Sequence, residues 1–229
     1  MNKQTVTTTT TVTTVTETIN DKPTHIVIVL DRSGSMESIA QSTVDGLNTF
    51  IKEQRNAKGD AVMTLVQFDH EYQVDYESRA INEVKDLING ETFRPNGTTA
   101  LFDAIGKTIN TLKTNDDVIF VIVTDGFENA SREYNQAQVF SLIDEKKKMG
   151  WNFLFLGANQ DAIAAGNSIG ITSSNSITYN TNSTSVNNLY SSISDKVSTY
   201  RSSKFSGDNL NIVSSSLNFT DSDRSDINK

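Results

Sequence analysis

Asp31-Arg32-Ser33-Gly34-Ser35 follows directly on an apolar run, His25-Ile26-Val27-Ile28-Val29-Leu30, and places a carboxylate and two hydroxyls where a strand should end. A second apolar run, Val118 to Val123, ends in Thr124-Asp125-Gly126 and delivers another carboxylate in the same way. Between them, Asn96-Gly97-Thr98-Thr99-Ala100-Leu101-Phe102-Asp103 reads as a loop that opens a helix and offers a threonine hydroxyl. Oxygen donors without a nearby histidine or thiol suit a hard divalent cation, Mg²⁺ first and Mn²⁺ second, rather than Zn²⁺. Two carboxylates about 5 Å apart at an effective dielectric of about 20 repel by roughly 3 kcal/mol, so such a pair calls for a proton or a cation. A serine after a strand can equally cap a helix, and Ser33 or Ser35 could do so for a helix beginning near Glu37.

Strand and helix signals alternate from residue 25 onward, which predicts an α/β domain with a mostly parallel sheet. The runs at 25–30, 117–124 and 152–157 are continuously apolar, as expected of strands covered on both faces. Ala61–Phe68 and Tyr72–Ser78 are joined by Asp69-His70-Glu71, a hairpin-length connection that makes the second strand antiparallel. A short last strand is expected near Ser176–Tyr179. Apolar residues recur at helical spacing at Ile39, Val44, Leu47, Phe50 and Ile51, again at Ala104, Ile105 and Ile109, at Val139, Leu142 and Ile143, and from Val186 to Tyr200. Right-handed crossovers and an edge hairpin favour a Rossmann-like, doubly wound six-stranded sheet of order 3-2-1-4-5-6, with strand 3 antiparallel at the edge. The crevice then opens beyond the carboxyl ends of strands 1 and 4, where Asp31 and Asp125 fall.

Asp31-x-Ser33-x-Ser35, then Thr99, then Asp125 resembles the metal-ion-dependent adhesion site of von Willebrand factor A domains. The resemblance covers roughly residues 24–202, because the Gly150–Asp161 segment and the last helix also look like those of bacterial-type members. It implies the same strand order. It further implies that the hydroxyls of Ser33, Ser35 and Thr99 coordinate the metal, that Asp31 and Asp125 hold waters on it, and that one position stays open for a partner's carboxylate. Thr99 is preferred to Thr98 because the Ala-Leu-Phe-Asp-Ala-Ile run after it looks like the family's helix start. Gly34 and Gly126 are expected to permit sharp turns at the site, and Glu128 and Asn129 to lie on its rim.

The expected organisation is a Thr-rich disordered head at 1–23, the folded domain at 24–202, and a polar disordered tail at 203–229. Net charge is −8, which leaves no basic face for nucleic acid. The chain has no cysteine, and its head lacks the pattern of a signal peptide. The acceptor patterns Asn96-Gly97-Thr98 and Asn129-Ala130-Ser131 would put glycans on the site, so a cytoplasmic location is expected, with a monomer and no membrane span. The predicted function is a noncatalytic module that binds a protein ligand offering a carboxylate. Alternatives are an adaptor subunit of an ATPase-type complex and a metal-dependent phosphoryl-transfer or hydrolytic enzyme. No Gly-x-Ser-x-Gly elbow or P-loop occurs, and Ser33 stands where a dehalogenase-like phosphatase would need a second acid. Asp103 is read as balancing a helix N-terminus, and His25 and His70 as structural or solvent-facing.

Overall fold

A computed structural model of the chain describes residues 22–113, 117–158 and 161–229. The Thr-rich head therefore lies outside the described residues, apart from its last two. The sheet has six strands in the order β3-β2-β1-β4-β5-β6: β1 is Thr24–Asp31, β2 Ala61–Phe68, β3 Tyr72–Ala80, β4 Val118–Thr124, β5 Asn152–Ala158 and β6 Ser176–Tyr179. Only the β2–β3 pairing is antiparallel. The expected topology is the one observed, with β3 longer than expected and its ladder to β2 irregular.

Every residue of β1 and β4 is buried. Successive side chains alternate between two cores, because a strand points its side chains to opposite faces with a period of two. Ile26, Ile28, Leu30, Ile119, Val121 and Val123 face helices α1 (Ala40–Asn56) and α5 (Ser183–Phe205). Val27, Val29, Phe120 and Ile122 face α2 (Leu101–Thr111) and α3 (Gln136–Lys148). With both faces filled by apolar packing, polar groups that leave the strands have only the two ends of the strands to occupy. Asp31 and Asp125 end at the same one, since β1 and β4 pair in parallel register from His25–Val118 to Leu30–Val123.

The tail does not match the expectation of disorder. Beyond α4 (Ala162–Ser168) and α5, helices α6 (Leu210–Ser215) and α7 (Asp221–Ile227) pack back on the domain. Val213, Leu217, Phe219 and Ile227 are buried in the same core as α1 and α5. The tail also covers the open side of β6: Arg224 Nη1 donates to Ser176 O at 2.9 Å and Asn228 Nδ2 to Thr178 O at 3.0 Å. An edge strand with bare carbonyls is a template for unwanted pairing, and this cover removes it. The few apolar residues looked too sparse to offset ordering entropy, but Val213, Leu217, Phe219 and Ile227 fill core positions, and Arg224 and Asn228 satisfy strand carbonyls. Truncation at Gly207 should therefore lower the urea midpoint and increase self-association, read by light scattering.

Candidate metal centre

Asp31 is fully buried at the end of β1. Its Oδ1 accepts the Ser33 amide at 2.6 Å and its Oδ2 accepts the Thr124 hydroxyl at 2.6 Å. Thr124 is the last residue of β4, so this bond ties the two strand ends together. Ser33 occupies the cap position of a 3₁₀ turn, Gly34–Ile39, but its side chain does not cap it. Its hydroxyl lies 3.2 Å from that of Ser35, and Ser35 Oγ donates to Asp125 Oδ1 at 2.6 Å. The helix-capping alternative for the serines therefore fails, because both hydroxyls are turned into the crevice. The chain of contacts runs Asp31, Ser33, Ser35, Asp125.

Thr99 joins the cluster from the loop before α2. A methyl group placed on Gly126 would sit 3.1 Å from Thr99 Oγ1 and 3.6 Å from Ser35 Oγ, so both hydroxyls flank the same point. Thr99 is buried, whereas Thr98 is exposed. All five residues singled out in the sequence thus converge on one end of the sheet.

The glycines act differently from the expectation. Neither Gly34 nor Gly126 has a positive φ; the left-handed residue at the site is Gly97, at φ 70°. A side chain there would also collide with His70, whose Nδ1 lies 2.2 Å from the added carbon. Gly97 O accepts the Gly34 amide at 3.1 Å and Asn96 N donates to Arg32 O at 2.8 Å, which stitches the threonine loop to the serine loop. Gly126 is needed for space rather than for backbone freedom.

Burial is the main influence on both carboxyls. It raises the Asp31 pKa to about 6 against the opposing bonds from Thr124 and Ser33, while the charge of Asp125 adds least. Burial likewise raises Asp125, opposed by the Ser35 bond. Mutual repulsion, the reason inferred from sequence for a counter-charge, is therefore secondary to desolvation. Among the described residues, neither carboxylate has a cationic side chain within ion-pair distance. Nor do three or more His, Cys, Asp or Glu side chains converge anywhere among them. What remains is an oxygen-only set of two carboxylates and three hydroxyls, which fits a hard divalent cation.

The loop after β4 supplies positioning residues that the sequence did not reveal. Asn129 makes a two-way bond with Thr99: its Oδ1 accepts the Thr99 amide at 2.9 Å and its own amide donates to Thr99 O at 3.0 Å. Glu128, expected on the rim, instead caps α2 by accepting the Phe102 amide at 2.9 Å, and it also accepts the amides of Ala130 and Ser131. Asp103, expected only to balance the helix end, is buried and accepts the amides of Arg132, Glu133 and Tyr134 at 2.8–2.9 Å. Burial pushes its pKa up, but these amides and Lys107 outweigh that and hold it below the usual value. Asp103→Ala would strand three amide donors, a loss on the order of 2–3 kcal/mol in urea unfolding. Asp103→Asn, which keeps one acceptor oxygen, should lose less.

Residues 25–194 match the family model described as von Willebrand factor type A domain. The chain belongs to that family. Solved structures that resemble it include the pilus adhesin SpaC from Lactobacillus rhamnosus GG, with TM-score 0.60 and 15% identity over 79% of this chain and 31% of that one. Proximal thread matrix protein 1 from the mussel byssus matches with TM-score 0.56 and 16% identity over 76% of this chain and 48% of that one, and one of its structures has a zinc occupied MIDAS motif. A von Willebrand factor type A protein from Catenulispora acidiphila matches with TM-score 0.53 and 13% identity over 78% and 43%. At these identities the likeness establishes the fold, and the chain spans less than half the length of each of these proteins. No curated protein matches it. Among the described residues, no helix is long and apolar enough to cross a membrane.

Proposed function

We propose that this von Willebrand factor A domain is a noncatalytic protein-binding module that recognises an acidic side chain of its partner through a divalent cation held by Asp31, Ser33, Ser35, Thr99 and Asp125. The observation that carries the reading is the pair of buried carboxylates, joined through serine hydroxyls at the crevice between β1 and β4 and lacking a cationic partner among the described residues. Such a pair is costly unless protonated or neutralised, and a divalent ion supplies the missing charge. When bound, the ion offers an open coordination position. The exposed Ser35 and Thr98 lie beside it, so a partner's carboxylate can approach from solvent. Having only two carboxylates among the donors leaves the metal electrophilic enough to favour an anionic ligand.

Mg²⁺ or Mn²⁺ is the proposed ion on the grounds of an all-oxygen donor set. The zinc in the mussel protein's site indicates that a family member can also accept a softer ion there. The adhesin and matrix proteins among the structural relatives agree with an interaction role. Calorimetric titration of the chain with Mg²⁺ and Mn²⁺, beside Asp125→Ala, tests the proposal. Saturable binding weakened tenfold or more in the mutant is the expected result. Absence of binding in the parent chain would mean that the cluster is only a structural hydrogen-bond network.

A further inference from the structure

Phe127 is 67% exposed, two residues after Asp125 and one after Gly126. The other exposed large hydrophobic residues among those described (Val74, Ile88, Phe140, Met149, Phe205 and Ile212) lie on other segments, and Phe127 alone stands in the loop that carries the second carboxylate. Its backbone is held on both sides. The Gly126 amide donates to the Thr124 hydroxyl at 3.2 Å, Glu128 is bonded to the start of α2, and Asn129 is bonded twice to Thr99. An aromatic ring kept in water by a fixed loop, rather than on a fraying one, is pre-organised for contact, and phenylalanine is among the residues enriched at protein interfaces.

The surroundings define what would meet this ring. Ser35, Asn96, Thr98 and Asn129 are exposed and polar, so among the described residues of the three site loops Phe127 is the one large exposed apolar side chain. Two residues of extended chain span at most about 7 Å, which bounds the separation of the Phe127 and Asp125 backbones. An extended peptide covers the same distance in two of its own residues, with both side chains on one face. Building on the metal-bridged reading above, we propose that Phe127 is a specificity-determining anchor, selecting partner segments whose metal-binding acidic residue has an apolar side chain two positions away in an extended strand.

The test uses the full chain, Mn²⁺ and two capped pentapeptides of equal charge. One is glycine-aspartate-glycine-phenylalanine-glycine; in the other a glycine replaces the phenylalanine. Binding is read from the relaxation that protein-bound Mn²⁺ induces in peptide protons, with acetate as a minimal carboxylate. The phenylalanine peptide should bind about five- to tenfold more tightly than its glycine counterpart, as an aromatic contact contributes. That ratio should fall to near one in Phe127→Ala and stay intermediate in Phe127→Leu. Mn²⁺-dependent binding of acetate and of both peptides with equal affinity would overturn the anchor while leaving metal-bridged recognition intact. A preference that persisted in Phe127→Ala would overturn it as well. Absence of any Mn²⁺-dependent relaxation would defeat the metal reading and the anchor with it.

Discussion

Asp31→Asn should stabilise the metal-free protein by about 3 kcal/mol at pH 7 and abolish its stabilisation by divalent cations. The Asp31 carboxyl is fully buried and its pKa rises from 3.8 to about 6. A shift of about two units corresponds to roughly 3 kcal/mol of preference for the protonated form in the folded state. Because the folded state holds this proton more tightly than the unfolded one, the stabilisation is fully present below about pH 4 and is lost as pH rises through about 6. Asparagine can keep the local bonds: its oxygen accepts the Ser33 amide, and its amide can donate to Thr124 Oγ1, whose own proton then turns to Gly126 O, already 3.1 Å away. The mutant thus loses the buried charge without orphaning a partner. Urea unfolding of both proteins at pH 7 and pH 4 checks this, and the advantage should shrink towards zero at the lower pH.

In the parent chain at pH 7, saturating Mg²⁺ should act as the mutation does, by removing the penalty of an unpaired carboxylate. Ligand at about 100 times its dissociation constant adds about 2.7 kcal/mol by mass action. Below pH 6 the proton competes for Asp31, so cation affinity should fall there. A mutant no more stable than the parent at pH 7, with Mg²⁺ still raising its midpoint, would show that Asp31 neither carries the burden of burial nor binds the ion.

The sheet and the two carboxylates at its crevice were readable for one reason: both follow from strands buried on two faces. Continuous apolar runs such as Val118–Val123 admit few structures, and the first polar residue after each run must emerge at the sheet's end. Thr99 was less accessible, since a one-residue boundary error exchanges it for Thr98. Asn129, Glu128 and Asp103 were illegible as positioning residues because their partners lie 26–31 residues away in sequence. No local spacing encodes those bonds. The tail was misread for a related reason: Val213, Leu217, Phe219 and Ile227 are few and widely spread among polar residues, and only the assembled core beside α5 gives each a place.

Gly126→Ala should eliminate saturable Mg²⁺ and Mn²⁺ binding while leaving the fold intact. The backbone can accept the change, since Gly126 lacks the positive φ that disfavours a side chain. The space cannot. The new methyl would lie 3.1 Å from Thr99 Oγ1, closer than carbon and oxygen ordinarily approach, and 3.6 Å from Ser35 Oγ. Thr99 has little freedom to retreat, because Asn129 holds its amide and its carbonyl at once. Its side chain must therefore rotate its hydroxyl away from the crevice, or the loop carrying Asp125 must shift away from Ser35. Either response separates donors that a small, geometrically demanding cation needs together. Asp125→Ala removes a single group, whereas this methyl disturbs ligands from all three loops. Asn129→Ala provides the complementary case: it frees Thr99 without filling the cradle, so its own loss of affinity should be smaller, and combining it with Gly126→Ala should partly restore the binding that Gly126→Ala removes. Far-ultraviolet circular dichroism that matches the parent chain, with calorimetric heats reduced to dilution, is the expected pair of readings. Undiminished cation binding in Gly126→Ala would mean that the Thr99 and Ser35 hydroxyls do not meet a common ion at this point.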